Sequence, residues 1–183
     1  LGGASNQYPR WREKKMLAKF TDIIPGINKW HKSVYSKYGD WAIPGGNIYA
    51  PQYNTNLVSK AEAPKSWEDL LDPKWKGQIG LPTDVNPWIS LALDEGGWGM
   101  AKTEQYLSSL KEQKLIWTAG HSAAHALLLS GEFKILGDGY VYHVLNSQKK
   151  NAPADFVRVN PIVVTGPTIG LISKAPHPNA ARL

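Results

Sequence analysis

The stretch "QIGLPTDVNPWISLALDEG", residues 78–96, decides how this chain is read. A short apolar run, "QIGLP", gives way to a polar loop, "TDVN", and then to a helix-like segment. Gly96 closes that segment as glycine commonly closes a helix. The same outline returns at "KLIWTAGHSAAHALLLSG" (114–131) and at "FKILGDGYVYHVLNSQKK" (133–150). In the last, Val141, Val144 and Leu145 fall at i, i+3 and i+4, the helical period. A further helix is expected at about 100–113, between the first two units. Strands alternating with helices predict an α/β fold whose parallel sheet is covered on both faces. The units share an outline rather than a sequence, so they are not an internal repeat.

Composition is consistent with a globular chain. Of 183 residues, 42% are hydrophobic and 20% charged, and no apolar run is long enough for a membrane span. There is no cysteine, which excludes disulfides, thiolate zinc sites and cysteine nucleophiles. The net charge of +6 is confined to residues 1–37, where eight Lys/Arg face two acids. Around "PRWREKKMLAKF" this reads as a solvated helix face, with a nucleic-acid patch over 10–37 as the rival reading. The start lacks an initiating Met and a signal-peptide stretch, and "APHPNAARL" stops as a helix opens at Pro178 or Asn179. A processed or trimmed chain is therefore expected.

Elsewhere, helices are expected over 8–20 and 27–38, broken by Pro25-Gly26. A β-rich segment covers 47–58, with a turn at Asn54-Thr55-Asn56. Ser66 caps "WEDLL", "DPKWKG" turns, and "DFVRV" and "TIGLIS" supply two more strands. Trp67, Trp75 and Trp117 are expected in the core.

Ligands of an open α/β sheet bind beyond the carboxyl ends of its strands. Thr83, Asp84 and Asn86 lie on the first such loop, His121 and Ser122 on the second, and Tyr140 and Tyr142 on the third. Each loop delivers a helix N-terminus, a ready place for an anion. Thr83, Asp84 and Ser122 also have the chemistry of plain helix caps. Trp88 is a candidate to stack on a ligand or to pack in the core. At 3.6 residues per turn, positions 140 and 142 lie about 200° apart on a helix, so their rings are expected to diverge and His143 to lie on a helix face.

His121 and His125, four residues apart, could share a metal, but "HSAAH" lacks the glutamate of a zincin. A metal hydrolase built on this pair is one alternative. His31 and His177 have no companions at ligand spacing. No nucleophile elbow, Ser-His-Asp pattern, P-loop or dinucleotide fingerprint occurs.

"PKSWEDLLDPKWKGQIGLP" (64–82), with "YNTNLV" before it and "GLISKAPHPNAARL" after it, resembles the type 2 periplasmic solute-binding proteins of bacterial ABC transporters. The ferric-iron-binding-protein-like group is the nearest match, from about residue 40 to the end. The resemblance implies two α/β lobes joined by hinge strands and closing on a solute. Residues 1–62 would hold part of the first lobe and the first hinge strand, 63–162 the second lobe, and 163–183 the second hinge strand and the return. The first lobe would be incomplete in this chain.

By the same resemblance the protein is no enzyme but a periplasmic or extracellular monomer. It would hand a small anionic or polar organic solute to a membrane permease, with no nucleic-acid partner. Ferric-iron members use two adjacent tyrosines and a synergistic anion. Aligned from Gly131-Glu132, that pair falls on Val141 and Tyr142, so one phenol is absent. Ferric iron held by Tyr142, Tyr140 and His121 is the alternative cargo, and no other cofactor is implied.

Overall fold

The eight-residue stretch "NIYAPQYN", with Ile48, Tyr49 and Tyr53 as its β-forming side chains, sets the frame of the larger of two units. The computed structural model describes residues 2–3, 8–19, 29, 35–93 and 96–177. Its two compact units are Leu1–Gly46 with Gly166–Leu183, and Asn47–Thr165.

In the smaller unit, β1 (Gly2–Gly3) pairs with β9 (Thr168–Ile169), and β2 (Leu17–Ala18) pairs with β10 (Leu171–Ile172). Helix α1 spans Tyr8–Glu13, shorter than expected over 8–20. Lys15, at φ 54°, turns the chain out of the helix and into β2. "TIGLIS" is two strands rather than one, divided at Gly170. A Cβ there would lie 2.6 Å from the Tyr8 ring and 2.8 Å from the Asp40 carbonyl. The Arg12 guanidinium lies over the Tyr38 ring, 3.9 Å from its centroid, and donates to Asp40 Oδ1 at 2.9 Å. Burial would raise the Asp40 carboxyl, but hydrogen bonds from Arg12 and Ser36 outweigh it and hold it below the usual range. The helix expected over 27–38 falls mostly outside the described residues. Its end, 35–38, is a bridge from Tyr35 to Ala42 and a turn. His31 and the helix start at Pro178 or Asn179 also lie outside them.

In the larger unit, β3 (Asn47–Asn54) is buried from Tyr49 onward. It ends where Asn54 Oδ1 accepts from the Asn56 amide at 2.9 Å, an Asx-turn. Strands β4 (Ile79–Pro82), β5 (Ile116–Thr118) and β6 (Ile135–Tyr140) run parallel, with β4 in the middle. Each is followed by a helix: α2 (Asn86–Leu93), α4 (His121–Ser130) and α5 (Val141–Gln148). Helix α3 (Met100–Lys111) lies between α2 and β5. Gly131, at φ 84°, ends α4 in the left-handed conformation expected of it.

The sheet is mixed rather than wholly parallel. β3 pairs antiparallel with β6, and its other edge carries β7 (Ala154–Phe156) and β8 (Val163–Thr165), both antiparallel. A parallel pair needs a crossover, and helices supply those that make β4, β5 and β6 parallel neighbours, whereas the crossover through α5 carries β7 to the far side of β3.

Ser66, expected as the N-cap, stands one residue before it, since Trp67 takes that position without a side-chain cap, but Ser66 still bonds the start of the turn. Its Oγ accepts from the Asp69 amide at 3.2 Å, while Asp69 reaches back to the Lys65 amide at 2.7 Å, starting a short 3-10 turn over Glu68–Leu71. The turn places Trp67 in the core. There it packs edge-on to Trp88 and Trp98 and donates through Nε1 to the Pro161 carbonyl at 3.0 Å. Trp75 is also buried, but Trp117 is not. It stands on the outer face of β5 and is 61% exposed.

Candidate functional site

The parallel strands β4, β5 and β6 end on one edge, and that edge collects the expected loops. Asp84 follows β4, His121 opens α4 after β5, and Asp138 to Tyr140 finish β6. A fourth contributor comes from the first strand of the unit. Because β3 runs antiparallel to β6, with Tyr49 opposite Tyr140, its beginning lies beside the end of β6. The Tyr49 hydroxyl thus reaches Asp84 Oδ2 at 3.3 Å and the Tyr140 hydroxyl at 3.4 Å, and accepts from Thr165 Oγ1 at 3.1 Å. One O–H can donate to only one of its two acceptors. Burial pushes the Tyr49 phenol far above its ordinary value, so it stays protonated.

The aromatic groups form a stack. His121 lies face to face with Tyr140 at 4.2 Å between centroids, and Tyr140 with Tyr142 at 5.4 Å and 16°. The expected divergence of Tyr140 and Tyr142 does not occur. Strand β6 runs through "GDG" to Tyr140, which is extended at φ −70°, ψ 122°, and the helix begins only at Val141. Helical spacing therefore does not relate 140 to 142. His143 joins the group, with its ring 4.4 Å from Tyr142, and its Nδ1 is buried without a hydrogen-bond partner.

Two carboxylates flank His121. Asp84 Oδ2 lies 3.9 Å from Nδ1 and Asp138 Oδ2 lies 3.8 Å from Nε2. Both distances exceed a hydrogen bond. Asp138 is fully buried, and neither of its carboxyl oxygens has a hydrogen-bond partner. Burial pushes its pKa up to about 7 against the favourable charge of His121. Asp84 is partly open, and its Oδ1 accepts from the Asn86 amide at 3.0 Å and side chain at 2.7 Å, capping α2.

A brace lies beneath the stack. Gln52 on β3 donates through Nε2 to the Tyr140 carbonyl at 2.9 Å, and its Oε1 meets His125 Nδ1 at 2.8 Å. His125 Nε2 meets Ser147 Oγ at 2.7 Å. Oε1 can only accept, so His125 carries its proton on Nδ1 and accepts from Ser147. Burial, with His143 nearby, pushes this imidazole down to about 4. Gly139 makes the brace possible, since a Cβ there would sit 2.2 Å from Gln52 Nε2.

A family model for bacterial extracellular solute-binding proteins matches residues 3–180. The chain belongs to that family. Solved structures of similar fold include iron-bound HitA from Pseudomonas aeruginosa, at 22% identity and TM-score 0.76, covering 98% of this chain and 60% of that one. AfuA from Actinobacillus pleuropneumoniae with fructose-6-phosphate is similar at 19% identity and TM-score 0.71, covering 99% and 59%. The Atu4243 GABA receptor is similar at 16% identity and TM-score 0.77, covering 99% and 57%. The chain thus spans about three fifths of their lengths. No curated protein matches it significantly by sequence.

In this family member the structure brings Asp84, His121, Tyr140 and Tyr142 together, keeps Asn86 bonded to Asp84, and leaves the other expected residues apart from them. Thr83 is exposed on its loop, Asn86 and Ser122 are exposed in the first turns of α2 and α4, and no Ser122 side-chain cap forms on α4. Trp88 is buried against Trp67 and Tyr106, so it packs in the core rather than facing a ligand. His121 and His125 do not share a metal-ready face, because both ring nitrogens of His125 are already engaged. Among the described residues no group of three or more His, Cys, Asp or Glu is arranged to hold a metal ion, and no helix is long and apolar enough to cross a membrane. Tyr49, Gln52 and Asp138 are the members that spacing along the chain does not mark.

Proposed function

We propose that the protein is the solute-binding component of an ABC import system, working outside the cytoplasmic membrane as a monomer. The unit Asn47–Thr165 serves as a solute-holding lobe and presents a small polar organic solute to a membrane permease. The observation that carries this is the half-exposed Tyr142 at the open end of the His121–Tyr140–Tyr142 stack, above the ends of three parallel strands. Such a stack offers a flat apolar face beside polar groups, the usual make-up of a small-molecule site. Its residues hold a ligand rather than transform one: the tyrosine nearest the acids keeps its proton, and the second histidine is committed to the brace. A solute screen by thermal shift tests this. A true solute at a hundredfold its Kd should stabilise the protein by about 2.7 kcal/mol, and the gain should grow with concentration. A broad panel in which no solute raises the Tm refutes the reading.

Ferric iron is the second reading, favoured by the convergence of Tyr140, Tyr142 and His121. The protonated Tyr49 phenol offers such an ion no charge, which leaves two phenols, one imidazole and Asp84. Ferric iron added with a carbonate or phosphate anion should give a coloured phenolate charge-transfer band. A colourless mixture removes this reading.

A further inference from the structure

We propose that the solute carries an ammonium group, seated against the Tyr140–Tyr142 stack beside Oδ2 of Asp84. This rests on the solute-binding reading and adds the charge of the solute to it. The first observation is the distribution of permanent charge. Residues 78–101, 115–133 and 135–148, which build the strands, loops and helices of the site, contain no Lys or Arg. Neither do 47–54, which supply Tyr49, nor 159–173, which include Thr165. An anionic solute would meet no permanent positive charge from these segments, only neutral donors, helix N-terminal amides and histidine. One of those termini is already occupied, since Asp84 Oδ1 takes the first amide of α2.

The second observation is the surplus of unmet acceptors. Asp84 and Asp138 stand on either side of the one imidazole, and neither makes a hydrogen bond to it. The fully buried Asp138 has both oxygens unpartnered. A cation nearby lowers the energy of the Asp84 carboxylate and favours ionisation of Asp138, whose field then adds to that of Asp84 along the His121 ring. Only Asp84 is partly open, and its Oδ2 is engaged by nothing closer than the long 3.3 Å contact from Tyr49.

The third observation is the surface beside that oxygen. The Tyr49 hydroxyl bridges Asp84 and Tyr140, so the carboxylate and the stack lie on one patch. Tyr142 is 44% exposed. Faces of tyrosine rings carry negative electrostatic potential and attract ammonium groups, most strongly where water is displaced. A carboxylate next to a tyrosine stack, on segments that carry no Lys or Arg, is complementary to an alkylammonium and repels a carboxylate or phosphate.

Three probes of one shape separate charge from fit: choline (cation), 3,3-dimethylbutan-1-ol (neutral) and 3,3-dimethylbutyrate (anion). Binding is read on the full chain by intrinsic fluorescence and calorimetry. Choline should bind about tenfold more tightly than the alcohol, and the butyrate more weakly still. Asp84→Asn should erase the tenfold advantage of choline and leave the alcohol unchanged. Asparagine caps helices as well as aspartate does, so α2 keeps its start. Tyr142→Leu should weaken choline more than the alcohol. The proposal is overturned if the butyrate binds as well as choline, if choline does not bind, or if Asp84→Asn keeps the preference for the cation. If a neutral or anionic solute from the broad screen binds while choline does not, only the ammonium proposal falls. If no solute of any charge binds, both readings fall.

Discussion

Replacing Asp138 by Asn should remove the pH dependence that this residue imposes on stability. Asp138 is fully buried at the end of β6, faced by His121 from α4 and by Asp84 from the loop before α2, and its own oxygens accept no hydrogen bond. Its folded value of about 7 lies above its ordinary 3.8, so the folded chain holds this proton more tightly than the unfolded chain does. The contribution of the group is therefore complete below about pH 4 and is lost as pH rises to about 7. At about 1.36 kcal/mol per pH unit the whole loss is roughly 4 kcal/mol, of which about 3 falls between about pH 5 and 8. Asparagine cannot ionise, so the variant lacks this slope. Its amide hydrogens need partners, and leaving one unmet costs about 1–2 kcal/mol at any pH. At about pH 5 the variant should then match the wild type or fall slightly below it, and at about pH 8 it should exceed it by about 1–3 kcal/mol. Urea unfolding at a series of pH values measures the difference, and subtracting the two curves cancels carboxylates of opposite sign such as Asp40. A constant gap across that range would refute the reasoning. A wild type that gains on its variant with rising pH would mean Asp138 is ionised and paired with a charged His121.

Two further substitutions probe the frame. Gly139→Ala should destabilise the unit by about 1–3 kcal/mol in urea unfolding and weaken solute binding, because the new methyl would sit 2.2 Å from the Gln52 amide and expel it from the Tyr140 carbonyl. Tyr106→Phe, which removes a buried hydroxyl donating to the Trp67 carbonyl at 2.9 Å, should cost about 1–2 kcal/mol in the same assay and leave solute binding intact.

Local pattern carried much of this arrangement. The three strand–loop–helix units stand where spacing puts them, and four of the expected ligand residues, Asp84, His121, Tyr140 and Tyr142, meet at one edge. Two of the three missed residues share one cause. Tyr49 and Gln52 sit on β3, and only its antiparallel register with β6 places them beside Tyr140. Nothing within residues 47–54 indicates which distant strand that will be. Asp138 was hidden differently. "GDG" reads as a turn, but here its glycines let an extended strand lie close to Leu81 on one side and Gln52 on the other. Trp117 is exposed because β5 is an edge strand of three residues, and aromatic character alone does not fix which face of a strand is covered.

The switch from strand to helix between Tyr140 and Val141 is where fold and site become one problem. The carbonyl of Tyr140, the N-cap residue of α5, accepts a hydrogen bond from Gln52 Nε2, and the same amide group fixes His125 through its oxygen, which Ser147 fixes from the other side. The chain of bonds ties β3, α4 and α5 to the residue that carries the central ring of the stack. That ring is then held from both faces by His121 and Tyr142 and from its edge by Tyr49. A surface fixed in this way loses little conformational freedom when a solute arrives, so more of the contact energy appears as affinity. The same fixation explains why His125 serves better as a structural histidine than as a ligand. A ring that must hold one proton on Nδ1 and one lone pair for Ser147 has nothing left to offer a metal, a substrate or a change of pH.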